Sequence, residues 1–307
     1  MPRPRPECHG GGIKPHARGK REGGSSSLLS LCADLTRRGR LPWHRVRPMS
    51  AAFRCTAVNQ RSEPMFNVPP AVVGTVAVLV VVHALRMLVL TDEEDLRFLL
   101  TFAFIPARYD LHLVGREALP GGFGAELWTF FTYAFLHADM MHIVLNLAWL
   151  LPFGTALARR FGTWRYVAFM LVTAAAGAFA HLVTHSGAMV PMIGASAAIS
   201  GAMAAALRFV FQQGAPLGLW RMDRNAEAYR LPASPLLTTM RNPRFLMFLG
   251  VWIGLNALFG LGSISIGQGE GQEMAWQAHL GGFAAGLLLF NVFDPIAPRE
   301  KYDAGEI

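Results

Sequence analysis

Three short polar clusters interrupt the apolar part of the sequence, and each contains residue types that are used in hydrolytic catalysis. The first cluster contains His142 and Asn146, the second contains Ser196, and the third contains His279. A serine hydroxyl becomes an effective nucleophile when an adjacent histidine accepts its proton. His142 and Asn146 are four residues apart, so they share one face of a helix and can donate hydrogen bonds to an oxyanion. These residue types indicate a serine hydrolase with Ser196 as nucleophile and His279 as general base.

Ser196 opens a predicted helix, and this position adds backbone donors to the predicted site. The first N–H groups of a helix have no acceptor within it and can stabilise a developing oxyanion. No acidic residue in the apolar segments suits the third place of a triad, and Asp139 is better explained as a residue that starts a helix. The pattern therefore predicts a Ser–His dyad, with an oxyanion hole formed by Ser196, His142 and Asn146.

Each cluster also has a purely structural explanation when it is taken singly. Small residues such as Gly194, Ser196 and Gly201 usually allow membrane helices to approach each other. A histidine in a membrane helix is more often a hydrogen-bonded packing residue than a base, and His142 with Asn146 can simply join neighbouring helices. The catalytic interpretation therefore depends on whether the three clusters meet.

The composition is that of a membrane protein preceded by a basic segment. Of the 307 residues, 52% are hydrophobic and 16% are charged, and the mean hydropathy is +0.32. These values are too apolar for an ordinary soluble protein. Residues 1–66 hold 13 Lys and Arg against 4 Asp and Glu, whereas the remaining 15 basic and 16 acidic residues nearly cancel. A basic folded surface with a nucleic-acid reading motif is not found, so nucleic acid is excluded as a partner.

The sequence predicts three regions along the chain. Residues 1–65 are rich in Pro, Gly, Arg and Ser and should form a disordered tail, in which Met49 and Met65 are alternative translation starts. Residues 66–295 should form the membrane domain, and residues 296–307 a short C-terminal tail. All three cysteines lie in the first region, so disulfides play no part in the predicted fold.

The membrane domain contains six apolar segments that fit membrane-spanning helices. About 20 residues are needed to cross a hydrocarbon core of ~30 Å. Several segments are shorter and rich in Gly and Ala, which suits close packing inside a bundle. The predicted spans are residues 71–90, 139–157, 164–183, 196–211, 245–261 and 275–293. A soluble all-helical protein is the alternative.

The distribution of Lys and Arg between the loops predicts the orientation of the spans. The N-terminal tail is basic, as are the loop after the second span, which contains Arg159 and Arg160, and the loop after the fourth span. Residues 91–138 are net acidic, so both termini should be cytoplasmic. This long segment also contains aromatic, amphipathic runs, and we expect it to lie partly in the membrane interface. A small external cap is the alternative.

This topology brings the three polar clusters to one depth. The second, fourth and sixth spans run inwards from the outer surface, and at ~1.5 Å per residue His142, Asn146 and His279 lie within about 10 Å of their outer ends. Arg208 follows Ser196 by 12 residues and should extend its charge towards the inner surface. The fourth span is therefore short, with its start below the outer surface. All four polar residues are predicted to converge near the outer leaflet.

As a set, these motifs resemble those of the rhomboid proteases. That family has His-x-x-x-Asn on its second helix, Gly-x-Ser-Gly at its fourth and Ala-His-x-x-Gly on its sixth. The corresponding motifs here, in the same order, are His142-Ile-Val-Leu-Asn146, Gly194-Ala195-Ser196-Ala197 and Ala278-His279-Leu280-Gly281-Gly282.

The resemblance implies an all-α polytopic membrane protein, a six-transmembrane-helix bundle with both termini in the cytoplasm. It implies a serine endopeptidase with no cofactor or metal, which cuts transmembrane protein substrates near the outer face of the lipid bilayer. Gly194, Gly282 and Gly286 would support the site. In a bacterium the expected location is the plasma membrane, with the active site open to the non-cytoplasmic side.

Two positions depart from the family pattern. Ala197 replaces the glycine that usually follows the nucleophile, which adds one methyl group beside the site. We expect activity to survive because alanine is small and favours helices. The family's Trp-Arg pair in the first loop appears as Trp128-Thr129, and the missing arginine removes hydrogen bonds that would anchor that loop.

Three other functions compete with proteolysis. A rhomboid-like pseudoprotease would bind transmembrane helices without cutting them, although the chain retains all four polar site residues. Transporters typically have repeated halves and broken helices near the midplane, and no internal repeat is visible here. A metalloprotease would use His137, Asp139 and His142, but the sequence has no His-Glu-x-x-His motif.

Overall fold

The computed structural model describes residues 68–110, 119–211, 229–260 and 275–296. The predicted N-terminal tail and residues 297–307 of the predicted C-terminal tail lie outside the described residues. So do most of the predicted loops that follow the fourth and fifth spans.

The described residues are mostly helical and form nine α-helices. In chain order these are α1 (Pro70–Leu88), α2 (Asp92–Phe102), α3 (Gly122–Thr132), α4 (Met140–Phe161), α5 (Thr163–Thr184), α6 (Ser196–Val210), α7 (Leu236–Met240), α8 (Pro243–Gly260) and α9 (Trp276–Phe293). Two 3-10 turns, Pro106–Tyr109 and Tyr133–Phe135, precede and follow α3.

Six of these helices match the six predicted spans to within a few residues. By length and composition, α1, α4, α5 and α8 are apolar enough to cross a membrane, and α6 is a shorter apolar helix of 15 residues. In α9, Gln277, His279 and Asn291 interrupt an otherwise apolar sequence. The described part of the chain therefore contains four candidate membrane spans, and the count of six remains a prediction.

The long segment between α1 and α4 is built from helices and turns that are tied to one another. Thr91 and Glu94 form a reciprocal capping box at the start of α2. The Trp128 indole N–H donates to the Thr101 carbonyl at 3.1 Å, and the Thr132 hydroxyl donates to the Phe102 carbonyl at 2.7 Å. These bonds hold α3 against the end of α2.

A buried arginine anchors this segment from a position that the family pattern does not suggest. The Arg108 guanidinium donates to the Leu100 carbonyl at 2.7 Å and to the Pro120 carbonyl at 2.9 Å. Thr129 itself is fully buried, and its hydroxyl lies 2.9 Å from that of Tyr109. The segment thus has anchoring hydrogen bonds, although Thr129 cannot supply those expected of an arginine at its position.

The junction between α4 and α5 corrects the prediction that Arg159 and Arg160 lie in a loop. The structure extends α4 through both residues, and Gly162 turns the chain at φ 75°, a left-handed conformation that favours glycine. Arg160 is buried and forms a 2.8 Å ion pair with Asp294, just beyond α9. Its guanidinium also donates to the carbonyls of Tyr229 and Leu231.

The side chain of Arg208, which the sequence predicts to extend its charge towards the inner surface, is buried within the protein. The residue is only 2% exposed, and its guanidinium donates to the carbonyls of Leu287 and Ser234 and to the Asn291 side chain. Because these acceptors surround the guanidinium inside the protein, Arg208 satisfies its charge without reaching water.

The shortest predicted span lies at the centre of the described helices. Every residue of α6 from Ala197 to Phe209 is buried, and α6 packs against α4, α5 and α9. Its six alanines and one glycine allow this, because small side chains let helix backbones approach closely. The central position of α6 fixes Ser196 at its first turn relative to three neighbouring helices.

Removal of one partner from the buried Arg160–Asp294 pair should destabilise the protein. We expect Arg160→Met to lower the free energy of unfolding by about 3–5 kcal/mol, because it leaves a buried carboxylate without its partner. Thermal unfolding of the purified protein in detergent measures this loss. Arg165→Ala is the control, since Arg165 is exposed on α5, and equal melting temperatures for the two variants would contradict the expectation.

Candidate active site

Ser196 and His279 lie within hydrogen-bond distance of each other. Ser196 is the first residue of α6, and His279 lies in the first turn of α9. The Ser196 hydroxyl oxygen and the His279 Nε2 are 2.7 Å apart. This is the separation at which an imidazole can accept a proton from a serine hydroxyl.

Glycines bring α6 and α9 into backbone contact next to this pair. A Cβ added at Gly282 would collide with the Ala197 carbonyl, and one added at Gly286 would collide with the Gly201 carbonyl. The methyl group of Ala197 faces Gly177 on α5, where an added Cβ would lie 2.5 Å from it. The methyl group that departs from the family pattern is therefore accommodated by a glycine on the neighbouring helix.

Gly194 shapes the chain immediately before the nucleophile. Its φ of +119° favours glycine, and a Cβ there would lie 2.7 Å from the His142 Nε2. Its N–H donates to the Tyr133 carbonyl at 3.0 Å, and upstream Phe104 and Met192 form an antiparallel bridge. These hydrogen bonds fix the backbone of Met192 and Gly194, which leads into α6.

The His142 ring presents one nitrogen to the space beside Gly194. The Ala138 N–H donates to its Nδ1 at 3.3 Å, so in the neutral ring the proton is on Nε2, which faces Gly194. Asp139 caps α4 by accepting the His142 N–H at 2.8 Å, which confirms its predicted helix-start role. An Nε2–H group is therefore available to an oxyanion near Ser196.

The neighbouring His137 is a buried side chain that packs against His142. Burial lowers the pKa of His137 to about 3, and both its ring nitrogens are buried without partners among the described residues. Its ring centroid lies 5.1 Å from that of His142. His137 is consequently neutral at physiological pH and acts as packing beside the His142 ring.

Asn146 lies one turn below His142 on α4, as the four-residue spacing predicts. The residue is 5% exposed, and its Nδ2 donates one hydrogen to the His142 carbonyl at 2.9 Å. The second N–H of the same amide remains as a donor. Asn146 thus offers one side-chain hydrogen bond to the site, as His142 does.

Backbone donors are available at the head of α6. The Ile199 N–H bonds the Ala195 carbonyl, so the first helical hydrogen bond begins three residues after Ser196. No side chain of the described residues caps this helix end. The N–H groups of the first turn therefore remain available as donors at the end of the helix that carries Ser196.

The structure adds one residue that the sequence interpretation missed. Asn256 on α8 places its Oδ1 2.7 Å from the His279 Nδ1, on the side of the ring opposite Ser196. The amide is 8% exposed. A signal was present in the sequence, because a polar side chain inside an apolar helix is costly and invites a functional explanation.

A cavity of about 360 Å³ opens in front of these residues. Its lining includes Ser196, His279, His142, Asn146 and Asn256, together with Gly194. Gly282 and Gly286 do not line it and contribute instead through the contact between α6 and α9. The cavity is large enough to hold several atoms of an extended peptide beside the serine.

Comparison with known proteins places the chain in a family. The family model of the rhomboid domain matches residues 124–293, which is more than half of the chain. This chain belongs to the rhomboid family. The match covers every polar residue of the candidate site, and with four apolar helices of membrane-spanning length it indicates an integral, multi-pass membrane protein.

Named relatives of this rhomboid chain include proteases from distant organisms. Over 115 residues it is 31% identical to Rhomboid-like protease 3 of Toxoplasma gondii, covering 36% of this chain and 43% of that protein. Over 54 residues it is 35% identical to Rhomboid protease GlpG of Klebsiella pneumoniae, covering 18% of this chain and 20% of that protein. The alignments thus span less than half the length of these relatives.

The backbone contact at Gly282 should not tolerate a side chain. We expect Gly282→Ala to lower the free energy of unfolding by about 1–3 kcal/mol, because the added methyl group forces α9 away from α6. The melting temperature in detergent reports this change. Gly254→Ala is the matched control, since a Cβ there meets nothing within 4 Å. An unchanged melting temperature for Gly282→Ala would contradict the contact.

Proposed function

We propose that this chain is an intramembrane serine endopeptidase, which hydrolyses peptide bonds in or next to the transmembrane segments of membrane-protein substrates. The observation that carries the proposal is the 2.7 Å contact between Ser196 and His279 inside a rhomboid domain. The oxyanion donors beside that contact support the same reaction. Ordinary packing would not require all of these groups to border one cavity.

In the proposed reaction, His279 Nε2 accepts the Ser196 proton as the hydroxyl oxygen attacks the scissile carbonyl. The resulting oxyanion accepts hydrogen bonds from the first N–H groups of α6 and from the side chains of His142 and Asn146. The intermediate collapses when His279 returns the proton to the leaving amine, which leaves an acyl ester on Ser196. Water, deprotonated by His279, then hydrolyses the ester and restores the serine.

The proposed topology has six membrane helices, namely α1, α4, α5, α6, α8 and α9, with both termini in the cytoplasm. Two observations support this topology. The starts of α4, α6 and α9 all border the cavity, as expected if these three helices run in the same direction. The exposed Arg165 and Arg244 lie at the starts of α5 and α8, as expected if those helices begin on the cytoplasmic side. The cavity then opens towards the non-cytoplasmic side, and the substrates are transmembrane proteins that reach it there.

Cleavage of a single-span membrane protein in liposomes tests the proposed reaction. We expect the parent protein to cut this substrate, and Ser196→Ala and His279→Ala each to abolish cleavage while the helical content stays near that of the parent. Ser186→Ala is the matched control, because Ser186 is exposed and does not line the cavity. The double variant should be no worse than either single variant, since the two residues act as one unit.

Two outcomes of this experiment would overturn the proposal. Persistent cleavage by purified Ser196→Ala would exclude this serine as the nucleophile. A parent protein that binds the substrate helix but never cuts it would instead identify a catalytically inactive rhomboid-like protein.

The oxyanion hole can be tested separately from protein stability. Loss of one oxyanion donor typically costs about 2.7–4 kcal/mol in the transition state, or roughly 10²–10³ in rate. We expect His142→Ala and Asn146→Ala to lower kcat more than they change KM. The loss of kcat should be partial because backbone donors remain. It should be smaller for Asn146→Ala, because the Asn146 amide already donates one hydrogen to the His142 carbonyl.

Thermal unfolding measured on the same samples separates this role from a structural one. If His142 and Asn146 only join α4 to its neighbours, both variants will melt at lower temperature with normal turnover per folded molecule. That result would remove the two residues from the catalytic assignment.

A further inference from the structure

We propose that Asn256 is a positioning residue, which fixes the tautomer of His279 so that its Nε2 is free to accept the Ser196 proton. The inference rests on the proposed serine-protease function and adds a third residue to its catalytic pair. The observation behind it is the 2.7 Å hydrogen bond between the Asn256 amide and the His279 Nδ1.

The orientation of the Asn256 amide follows from its second partner. Its Nδ2 donates to the Trp252 carbonyl at 2.8 Å, four residues earlier in α8. A carbonyl oxygen only accepts hydrogen bonds, so a flipped amide would set two oxygen atoms against each other. The amide nitrogen must therefore face Trp252, and the Oδ1 atom must face His279.

The fixed amide in turn selects the protonated nitrogen of His279. The Oδ1 atom of an amide is an acceptor, so the Nδ1 atom of His279 must carry the hydrogen. In the neutral ring this leaves Nε2 with a lone pair, 2.7 Å from the Ser196 hydroxyl. The opposite tautomer would direct an N–H group at the serine and a bare Nδ1 at the amide oxygen, so it could not accept the serine proton.

An amide also suits the apolar position better than a carboxylate would. When His279 accepts the serine proton, both of its N–H groups have acceptors, and the amide dipole stabilises the new positive charge. Before the reaction, no charged group has to be buried beside the ring, whereas an aspartate would be buried as an anion. Asn256 thus gives the orienting hydrogen bond of a triad without a permanent charge.

The packing of α8 supports a specific role for this residue. Only Phe245, Trp252 and Asn256 are buried on that helix. The Trp252 ring stacks on Phe283 of α9 at a centroid distance of 4.5 Å, and its carbonyl holds the Asn256 amide. On α8, Trp252 precedes Asn256 by one helical turn, and on α9, His279 precedes Phe283 by one turn. The Trp252–Phe283 stack that packs α8 against α9 therefore also places the Asn256 amide next to His279.

Three variants of α8 test the inference in the full chain. Asn256→Leu removes the acceptor at similar size, Asn256→Asp keeps an acceptor, and Val251→Ala is a control at an exposed position outside the cavity. We expect Asn256→Leu to lower kcat by about 10²-fold with little change in KM, since the productive tautomer is lost. Asn256→Asp should restore most of the rate, and Val251→Ala should match the parent.

The pH profile distinguishes positioning from packing. A carboxylate at position 256 favours the imidazolium form of His279, so the acidic limb of the kcat/KM profile should move to higher pH in Asn256→Asp. The other histidine facing this part of the cavity, His142, is unchanged in all three variants. If Asn256→Leu keeps the parent kcat per folded molecule, with only a lower melting temperature, the inference is overturned.

The tautomer of His279 can also be determined without an activity assay. Nitrogen-15 NMR of the histidine rings distinguishes protonated from bare nitrogen, and the His279 signal is identified by its absence in His279→Ala. We expect a bare Nε2 in the parent and a predominantly protonated Nε2 in Asn256→Leu. The same tautomer in both proteins would overturn the inference. A parent with a bare Nε2 but no cleavage would count against the proposed function and leave the positioning role supported.

Discussion

The geometry of this protein depends on direct backbone contact between α6 and α9. Gly282 meets the Ala197 carbonyl and Gly286 meets the Gly201 carbonyl, so neither helix can slide or rotate without a collision. Ser196 directly precedes Ala197 and His279 lies one turn before Gly282, so this contact holds the two side chains 2.7 Å apart. In a membrane, where apolar side chains gain little by leaving lipid, close packing of small residues is the main force that can hold two helices so firmly.

Charge is distributed along the helices in a way that suits the proposed chemistry. Three buried ionic groups, Arg160, Arg208 and Asp294, gather at the ends of α4, α6 and α9 that lie away from the cavity. Two further buried arginines, Arg86 and Arg108, lie elsewhere in the described residues and do not line the cavity. Around Ser196 the contacts join neutral groups, namely a hydroxyl, two imidazoles and two amides. A neutral site avoids the cost of a permanent charge in an apolar surrounding and reserves its donors for the charge that develops during reaction.

Much of this architecture could be predicted from the sequence because hydropathy and residue spacing report on it directly. The helix bounds and the meeting of Ser196 with His279 are of this kind. The buried side chain of Arg160 was not predictable, because its partner Asp294 is 134 residues away and the positive-inside rule treats both arginines at the end of α4 as loop charges. Asn256 was missed for a related reason. The sequence shows a lone amide in an apolar helix, but it does not show that His279 of α9 packs against this amide.

The most direct test of the account is to locate where a fluorophosphonate, which reacts with activated serines, attaches to the detergent-purified protein. Peptide mass spectrometry should find one adduct, on Ser196, and His279→Ala should remove it because the hydroxyl then has no base. An adduct on another serine, or undiminished labelling of Ser196 in His279→Ala, would contradict the claim that these two residues form one catalytic unit.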